Sequence, residues 1–183
     1  MLDTLLLPLE LPERNQIIKH EGLGNYAISK YYQFPYSFFY QYKLKMILNM
    51  MKGGSYKNIL DYGAGPGIFT PELKKHGKVT SVDISDPINP TWKFDLIICS
   101  SVLEFTFVDH TCRLLKTILH QKGEIIVASP IQSKLSRLYF NAIGDRKVRH
   151  SHLEIQSKVS KHFKIERYEE WLGLYFALKA RQS

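Results

Sequence analysis

The order of apolar segments in this 183-residue chain predicts an α/β protein, a three-layer α/β/α sandwich with a mostly parallel sheet that ends in an antiparallel hairpin. Three observations carry this prediction. Short apolar strands alternate with helical segments, which is typical of parallel strands joined by right-handed crossovers. A glycine-rich turn, "GAGPG", follows the first strand, and two strand-like segments follow one another at the end of the chain.

Hydrophobic periodicity and turn residues place the individual elements. The first helix has apolar residues at helical spacing and stops before Gly53-Gly54, and Thr70 with Pro71 begins the second. The predicted order is a helix over 37–51, a strand over 58–62, a helix over 70–76, strands over 78–84 and 94–102, a helix over 108–120, a strand over 123–130, a basic helical stretch over 133–162, and strands over 163–171 and 173–181.

Length and composition predict a single domain. With 44% apolar residues the chain can bury one core, and no repeat or flexible linker divides it. We expect an N-terminal arm and aromatic lid helix over 1–52 to form one compact unit with a ligand-binding domain over 53–183. The opening "MLDTLLLPLELPERN" lacks a basic start and is interrupted by prolines, so it predicts a docking arm rather than a signal peptide or a membrane span.

Cysteine content indicates the redox environment of the chain, and the distribution of charge indicates which part of it is basic. Cys99 and Cys112 are too few for a disulfide framework and lack metal-ligand spacing, so buried thiols in a reducing cytoplasm are expected, without a metal. Residues 1–112 hold 11 Lys/Arg against 11 Asp/Glu, whereas residues 113–183 hold 14 against 6. The whole excess of +8 therefore belongs to the second part of the chain.

The glycine-rich turn allows a choice between ligand classes. A dinucleotide turn needs G-x-G-x-x-G, but the sixth place counted from Gly63 is Ile68, and the Gly-Lys-Ser/Thr ending of a phosphate loop is absent. Instead, Asp61 stands at the end of the strand, where a carboxylate disfavours a pyrophosphate and favours a cationic ligand. S-adenosylmethionine, with its α-ammonium and sulfonium groups, is such a ligand. Asp83 ends the next strand and can accept hydrogen bonds from ribose hydroxyls; a glycine turn with a capping aspartate is the alternative.

From about Tyr36 onward the chain resembles the class I S-adenosylmethionine-dependent methyltransferases, whose fold is Rossmann-like. "ILDYGAGPGIF", "VTSVDIS", "FDLIICSSVLEF" and "GEIIVASP" are similar to the family's first motif, its ribose-binding strand end, its fourth strand with the following turn, and its fifth strand. "DRKVRHSHLEIQSKVSKHFKIERY" is similar to the segment before the sixth strand in a subgroup that includes quinone and other small-molecule methyltransferases. The resemblance implies an S-adenosylmethionine-dependent enzyme with its cofactor-binding domain over 53–183.

The resemblance also implies residue roles. The first motif would hold the methionine part of the cofactor, the end of the second strand the ribose and adenine, and two serines after the fourth strand the floor of the pocket. The implied cofactor-binding residues are Asp61, Tyr62, Gly63, Ala64, Gly65, Gly67, Asp83, Ile84, Ser100 and Ser101.

One segment is shorter than in the family. Only "ISDPINPTWK" lies between Asp83 and Phe94, where the family has a helix and a third strand whose end supplies an acid for the adenine amino group. Ten residues cannot form both elements, so we expect the third strand to be shortened or absent. Asp86 is then the one acid of this segment that could replace the missing side chain.

The turn after the fourth strand faces the methyl group in the family, which makes Glu104 the candidate general base. A salt-bridged glutamate at the start of a helix is the alternative. Many relatives of the subgroup have a histidine where this chain has Phe105, so no catalytic histidine is predicted there. His150 and His152 could swing over the pocket or lie on the surface.

The acceptor is predicted to be a small molecule or lipid-like, because the turn over 99–102 has neither the proline-rich motif of amide methyltransferases nor a Pro-Cys nucleophile. Residues 25–42 contain nine aromatics, and residues 131–151 are basic. These segments supply the candidate acceptor residues Tyr31, Tyr32, Tyr36, Arg137 and Arg149. The basic segment could bind an anionic acceptor or a membrane headgroup, or only aid solubility. RNA methylation and a catalytically inactive subunit that binds the cofactor or a partner remain as alternatives.

Overall fold

The computed structural model describes residues 9, 11–13, 30–142 and 150–182. Arg149 and most of the predicted N-terminal arm lie outside the described residues. The elements are α1 Tyr36–Met51, β1 Asn58–Tyr62, α2 Thr70–Lys74, β2 Lys78–Val82, β3 Phe94–Ser100, a 3-10 helix Leu103–Phe105, α3 Val108–Ile118, β4 Leu119–Pro130, α4 Lys134–Ala142, α5 His152–Ser160, β5 Phe163–Trp171 and β6 Tyr175–Gln182.

The six strands form one sheet in the order β2-β1-β3-β4-β6-β5. β1 to β4 are parallel, and β6 runs antiparallel to both of its neighbours. The predicted α/β fold with a closing hairpin is confirmed. The sheet ends at β2, and the segment over 83–93 contributes no strand, so the expected loss of the third strand is confirmed as well.

The parallel strands end together at one side of the sheet, which we call the carboxyl edge. Six residues separate the end of α1 from the start of β1, so the helix runs antiparallel to the strand and its first turn lies at this edge. β5 points the same way as β4, because β6 is antiparallel to both, and the turn over 172–174 therefore also lies at the carboxyl edge. Opposite it, the strands begin at the amino edge.

Two apolar cores lie on the two faces of the sheet, because side chains alternate along each strand. α1 and α2 cover one face, which we call the α1 face, with Ile47 and Met50 fully buried against Ile59 and Ile98. α3 and α5 cover the other face, which we call the α3 face; its core contains Leu60, Tyr62, Ile97, Val127, Leu115, Ile155 and Phe176. Each fully buried Ile or Met side chain stabilises the fold by about 1.5–3 kcal/mol. Cys99 and Cys112 are free and buried, as expected.

Several element boundaries differ from the prediction. The helical stretch expected over 133–162 is interrupted, since residues 150 and 151 are not helical and Ser151 accepts a hydrogen bond from the Glu154 backbone N–H (3.1 Å) to cap α5. β4 begins at Leu119 rather than at Gly123, and α2 ends at Lys74. No helix within the described ranges is long and apolar enough to cross a membrane.

Candidate functional site

The glycine turn lies between the end of β1 and the start of α2, at the carboxyl edge. Gly63, Gly65 and Gly67 have φ values of +72°, +52° and +70°, a left-handed conformation that side chains rarely adopt. The Gly63 N–H donates a hydrogen bond to the Val82 carbonyl (2.8 Å), which fixes the turn to the end of β2. A Cβ atom at Gly63 would lie 2.3 Å from Val102 Cγ2, so the turn also requires glycine for its close packing against the segment after β3.

Asp61 is the penultimate residue of β1, and its side chain is 3% exposed. The same strand face carries Ile59, which belongs to the core beneath α1. The Thr70 hydroxyl lies 3.3 Å from Asp61 Oδ2 and 3.2 Å from Ser81 Oγ. Burial raises the pKa of Asp61 to about 6, and the hydrogen bond from Thr70 offsets only part of this effect. No cationic side chain pairs with Asp61 among the residues that the structure describes.

A lysine that sequence reasoning missed lies on the same face of the sheet. Lys43 of α1 is 2% exposed, and its ammonium donates a hydrogen bond to Ser101 Oγ (2.8 Å), just beyond the end of β3. The ring centroid of Tyr175 lies 5.9 Å from Lys43 Nζ. Ser101 has a φ of 54°, and its N–H donates to the Ala128 carbonyl of β4 (2.7 Å), so the hydroxyl that meets the lysine is held between two strands. A second buried charge thus lies next to the glycine turn.

Helical spacing was the signal that could have revealed Lys43. Position 43 lies on the stripe that contains Tyr40, Leu44 and Ile47, all of which are buried. A charged residue on the buried stripe of a helix needs a polar partner, which here is Ser101. Lys45, two residues on, lies off this stripe and is only partly buried.

Asp83 and Ile84 directly follow β2 beside the glycine turn, since Gly63 and Ala64 both donate backbone hydrogen bonds to the last residue of β2. The side chain of Asp83 is half-buried, and its Oδ1 accepts a hydrogen bond from the Ile84 N–H (2.6 Å). Asp86 Oδ2 accepts one from the Asp83 N–H (2.6 Å). The carboxylate of Asp86 therefore closes this turn and does not extend from a third strand.

The structure separates some predicted site residues from this group. Ser100 ends β3 and is half-buried next to Ser101, whereas the side chain of Tyr62 is buried in the core of the α3 face, away from Asp61. Glu104 lies in the 3-10 helix, is 1% exposed, and accepts a hydrogen bond from Ser129 Oγ (2.7 Å). In this conformation Glu104 joins the turn after β3 to β4 and is shielded from any acceptor. Its role as a general base stays a prediction.

The three candidate tyrosines lie just before and at the start of α1. The ring of Tyr31 packs 5.0 Å from that of Tyr40, and Tyr31 and Tyr32 are partly buried against the core of the α1 face. Tyr36 is partly exposed and lies beneath the ammonium of Lys30, 3.8 Å from its ring centroid. Of these three tyrosines, only Tyr36 has a ring outside the core packing of the α1 face.

The described residues of the basic segment lie in or beside α4 and at the start of α5, which have different surroundings. Arg137 is exposed on α4, and Arg149 lies outside the described residues. His150 is half-buried, with Nε2 3.0 Å from the Thr106 carbonyl and Nδ1 2.9 Å from Glu154 Oε1, so it fastens the start of α5 to the segment before α3. Among the described residues, no group of His, Cys, Asp and Glu side chains could hold a metal ion.

The fold is similar to those of solved methyltransferases. The N-methyltransferase NodS of Bradyrhizobium japonicum WM9, solved with S-adenosyl-L-homocysteine, gives a TM-score of 0.63 at 13% identity over 79% of this chain and 87% of that chain. A SAM-dependent methyltransferase of Aquifex aeolicus gives 0.60 at 13% identity over 76% and 89%. Human N-acetylserotonin methyltransferase, solved with SAM, gives 0.61 at 14% identity, over 86% of this chain but only 56% of its own.

These likenesses, together with the strand order and the glycine turn, show that the chain has the fold of the class I S-adenosylmethionine-dependent methyltransferases. The predicted fold class is thus confirmed by structural comparison. A comparison with protein-family models finds no match, and neither does one with the sequences of curated proteins.

Proposed function

We propose that the chain is a methyltransferase that binds S-adenosylmethionine and transfers its methyl group to a small-molecule or lipid-like acceptor. The observation that carries the proposal is a pair of opposite buried charges, Asp61 and Lys43, on one face of the sheet next to the glycine turn. The methionine end of S-adenosylmethionine is a zwitterion. Its α-ammonium group complements Asp61, and its carboxylate complements Lys43.

Each buried charge favours such a ligand, because neither has an ionic partner within the described ranges. A charge buried without a partner is costly, by several kcal/mol in a protein interior. A zwitterion that approaches the open backbone of the turn would offset both costs at once. A pyrophosphate, by contrast, would meet the Asp61 carboxylate and be repelled.

The remaining groups at the carboxyl edge fit the rest of the cofactor. Gly65 and Gly67 leave backbone accessible at the turn, and Asp83 follows β2, where a carboxylate can accept hydrogen bonds from ribose hydroxyls. Ser100 and Ser101 would form the floor beneath the reacting end. Tyr62 and Ala64 would contribute main-chain groups, since the Tyr62 side chain is in the opposite core.

Bound S-adenosylmethionine supplies an activated methyl group, so the chain's own task is mainly to hold the acceptor in line and exclude water. Lys43 and Asp61 would fix the cofactor's amino-acid end and so the direction of its sulfonium. A general base is needed only for an acceptor that must lose a proton, and would contribute on the order of 10²–10⁴-fold. Glu104 is proposed for that role only in a conformation that exposes it.

Aromatic and basic residues support the proposed acceptor class. Tyr36 and the rings packed on α1 could shield apolar acceptor surface, and Arg137 could contact an anionic group. The name of one structural neighbour, the human N-acetylserotonin methyltransferase, points the same way, because that acceptor is a small molecule. The absence of the strand that the family has between β2 and β3 would suit the alternative of a catalytically inactive subunit that binds a cofactor or a partner.

Calorimetry with two ligands tests the assignment of each residue. S-adenosyl-L-homocysteine carries the amino-acid end, whereas 5′-methylthioadenosine has the same nucleoside without it. We expect Lys43→Met to weaken S-adenosyl-L-homocysteine binding about 10- to 100-fold, the value of hydrogen bonds to charged groups, and to leave 5′-methylthioadenosine unchanged. Asp83→Ala should weaken both ligands by a similar factor, because both carry the ribose.

Lys45→Met is the matched control, because it removes a lysine from the same helix outside the buried stripe. It should bind both ligands as the unaltered chain does. No binding of S-adenosyl-L-homocysteine by the unaltered chain would refute the proposed function. An equal loss of both ligands in Lys43→Met would refute the carboxylate assignment alone.

A further inference from the structure

We propose that the carboxyl edge of the molecule docks on an anionic lipid bilayer. The exposed large apolar side chains of the described residues are not scattered over the surface. All of them lie at or next to this one edge, with exposures between 48% for Ile84 and 88% for Phe34: they are Phe34, Phe38, Ile84, Phe107, Leu135, Leu138, Leu153 and Leu172. We call this set the apolar rim.

Topology places every member of the rim. Ile84 follows the end of β2, and Phe107 precedes α3, which begins after β3. Leu135 and Leu138 lie on α4, just beyond the end of β4. Phe34 and Phe38 lie before and in the first turn of α1, Leu153 lies in the first turn of α5, and Leu172 is in the turn after β5. The amino edge carries no comparable side chain among the residues described.

The central part of the rim is held together by contacts. The ring of Phe38 lies 5.8 Å from that of Trp171, which stacks on Tyr42 at 3.9 Å. Leu172 is the next residue, and Ser133 Oγ donates a hydrogen bond to the Gly173 carbonyl (2.8 Å), which ties this turn to the start of α4. These contacts hold in place the ring of Phe38 and the turn that carries Leu172.

Leu172 is exposed in a conformation that suits glycine better. Its φ is 49°, and its side chain is 63% exposed at the tip of the hairpin. A bulky residue rarely adopts this conformation, and its side chain is not covered by the described part of the chain. An apolar partner outside the chain would offset the exposure of this side chain to water.

The cations of α4, which lie among the exposed leucines of the rim, indicate an anionic partner. On α4 the exposed cations Lys134 and Arg137 alternate with the exposed Leu135 and Leu138, and residues 131–142 contain no acid. Apolar side chains interleaved with cations are typical of helices that lie on anionic lipid surfaces. A second copy of this chain fits less well, because a two-fold contact would bring the same cations together.

The same edge carries the glycine turn, so a docked bilayer would face the candidate site. A lipid-like acceptor could then reach the site without crossing water. This use of the docking surface rests on the proposed function, whereas the docking itself does not.

Vesicle co-sedimentation of the full chain tests the proposal. We expect binding to phosphatidylcholine vesicles that contain phosphatidylserine, and little binding to phosphatidylcholine alone. Lys134→Glu should weaken the binding about thirtyfold, because reversal changes two unit charges near the surface. The matched control is Lys122→Glu, an exposed lysine of β4 near the amino edge, and it should have an effect of less than about threefold.

Leu172→Gly separates docking from folding. Glycine suits the left-handed backbone there, so this variant should be at least as stable as the unaltered chain. It should nevertheless bind the vesicles about five- to tenfold more weakly, because an apolar contact is lost. Leu138→Ser should give a loss of similar size.

Several results would overturn the proposal. They are an absence of binding to anionic vesicles at low salt, an equal loss in Lys122→Glu, and a concentration-dependent dimer that Leu138→Ser abolishes, since that dimer would make a second copy the occupant. Steeply salt-dependent binding to RNA without vesicle binding would do the same. S-adenosyl-L-homocysteine affinity, measured on the same preparations, reports separately on the proposed function.

Discussion

Burial of the Asp61 carboxylate lowers the stability of the folded chain at neutral pH. It is 3% exposed, and its pKa is raised to about 6 from an ordinary value of 3.8, because burial disfavours the charged form. Between these two values the folded chain holds a proton that the unfolded chain has lost. The contribution of Asp61 to stability therefore falls as the pH rises through this window, and above about pH 6 the folded chain carries the full cost.

Asp61→Asn removes this titration. We expect the free energy of unfolding of the variant, relative to that of the unaltered chain, to increase by about 3 kcal/mol as the pH rises from about 4 to about 7. Urea unfolding of both proteins at several pH values measures the difference. A difference that does not change with pH would show that Asp61 does not titrate in this range. A bound α-ammonium should lower the pKa, so S-adenosyl-L-homocysteine binding near pH 5 should release a proton.

Single residues are also where sequence reasoning was least complete. The position of Asp61 near the end of β1 could be predicted because a strand, an acid and alternating glycines occur in order. Lys43 could not be assigned from local sequence, since its partner, Ser101, is 58 residues away and comes close only when α1 packs on the sheet. The burial of Glu104 likewise depends on Ser129 of another strand.

At the scale of elements, the glycine turn depends on its neighbours as much as on its own backbone. Gly63 and Gly67 have nearly the same φ, +72° and +70°. A Cβ at Gly63 would lie 2.3 Å from Val102 Cγ2, however, whereas one at Gly67 would lie 3.5 Å from Thr70 Oγ1, an ordinary contact. The segment after β3 thus constrains Gly63 but not Gly67.

Alanine substitutions separate the two effects. Gly67→Ala should lower the free energy of unfolding by about 1–2 kcal/mol, the cost of a left-handed non-glycine residue. Gly63→Ala should cost about 1–3 kcal/mol more, because the added methyl group overpacks the site. Val102→Ala removes the two γ-methyl groups, so urea unfolding should reveal a coupling of about 1 kcal/mol or more with Gly63→Ala and none with Gly67→Ala. Equal coupling would show that the close packing is not the cause.

Elements were predicted from the sequence where the local signal was strong. β3 was predicted from an apolar run, and the closing hairpin from two strand-like segments around Leu172-Gly173. The break before α5 was missed, although Ser151 and Glu154 have the spacing of a capping box, because the apolar and basic pattern continues across it. The early start of β4 was missed because His120, Gln121 and Lys122 are polar and exposed, so no apolar run marks this part of the strand.

One unusual feature of the whole sheet could be predicted from the sequence. The strand that the family has between the positions of β2 and β3 is missing. Ten residues between Asp83 and Phe94 cannot form a helix and a strand, and the observed order ends at β2. The number of residues in this segment is sufficient for the conclusion. The clustering of exposed apolar side chains at the carboxyl edge could not be read in the same way, because it depends on the directions of α1, α5 and the closing hairpin.

The absent strand has a consequence for ligand selectivity. A site built to hydrogen-bond a polar group rejects an analogue that lacks it by 10⁴–10⁵-fold, because its own buried partners are left unpaired. Here the segment between β2 and β3 forms no strand that could bring an acid to the adenine amino group. Asp86, in this segment, already accepts a hydrogen bond from the Asp83 N–H. We therefore expect S-inosyl-L-homocysteine, in which a carbonyl oxygen replaces the adenine amino group, to bind within about fivefold of S-adenosyl-L-homocysteine. Calorimetry compares the two, and Asp83→Ala should weaken both equally through the shared ribose. A preference of a hundredfold or more for the adenine compound would mean that other groups of the chain recognise the base.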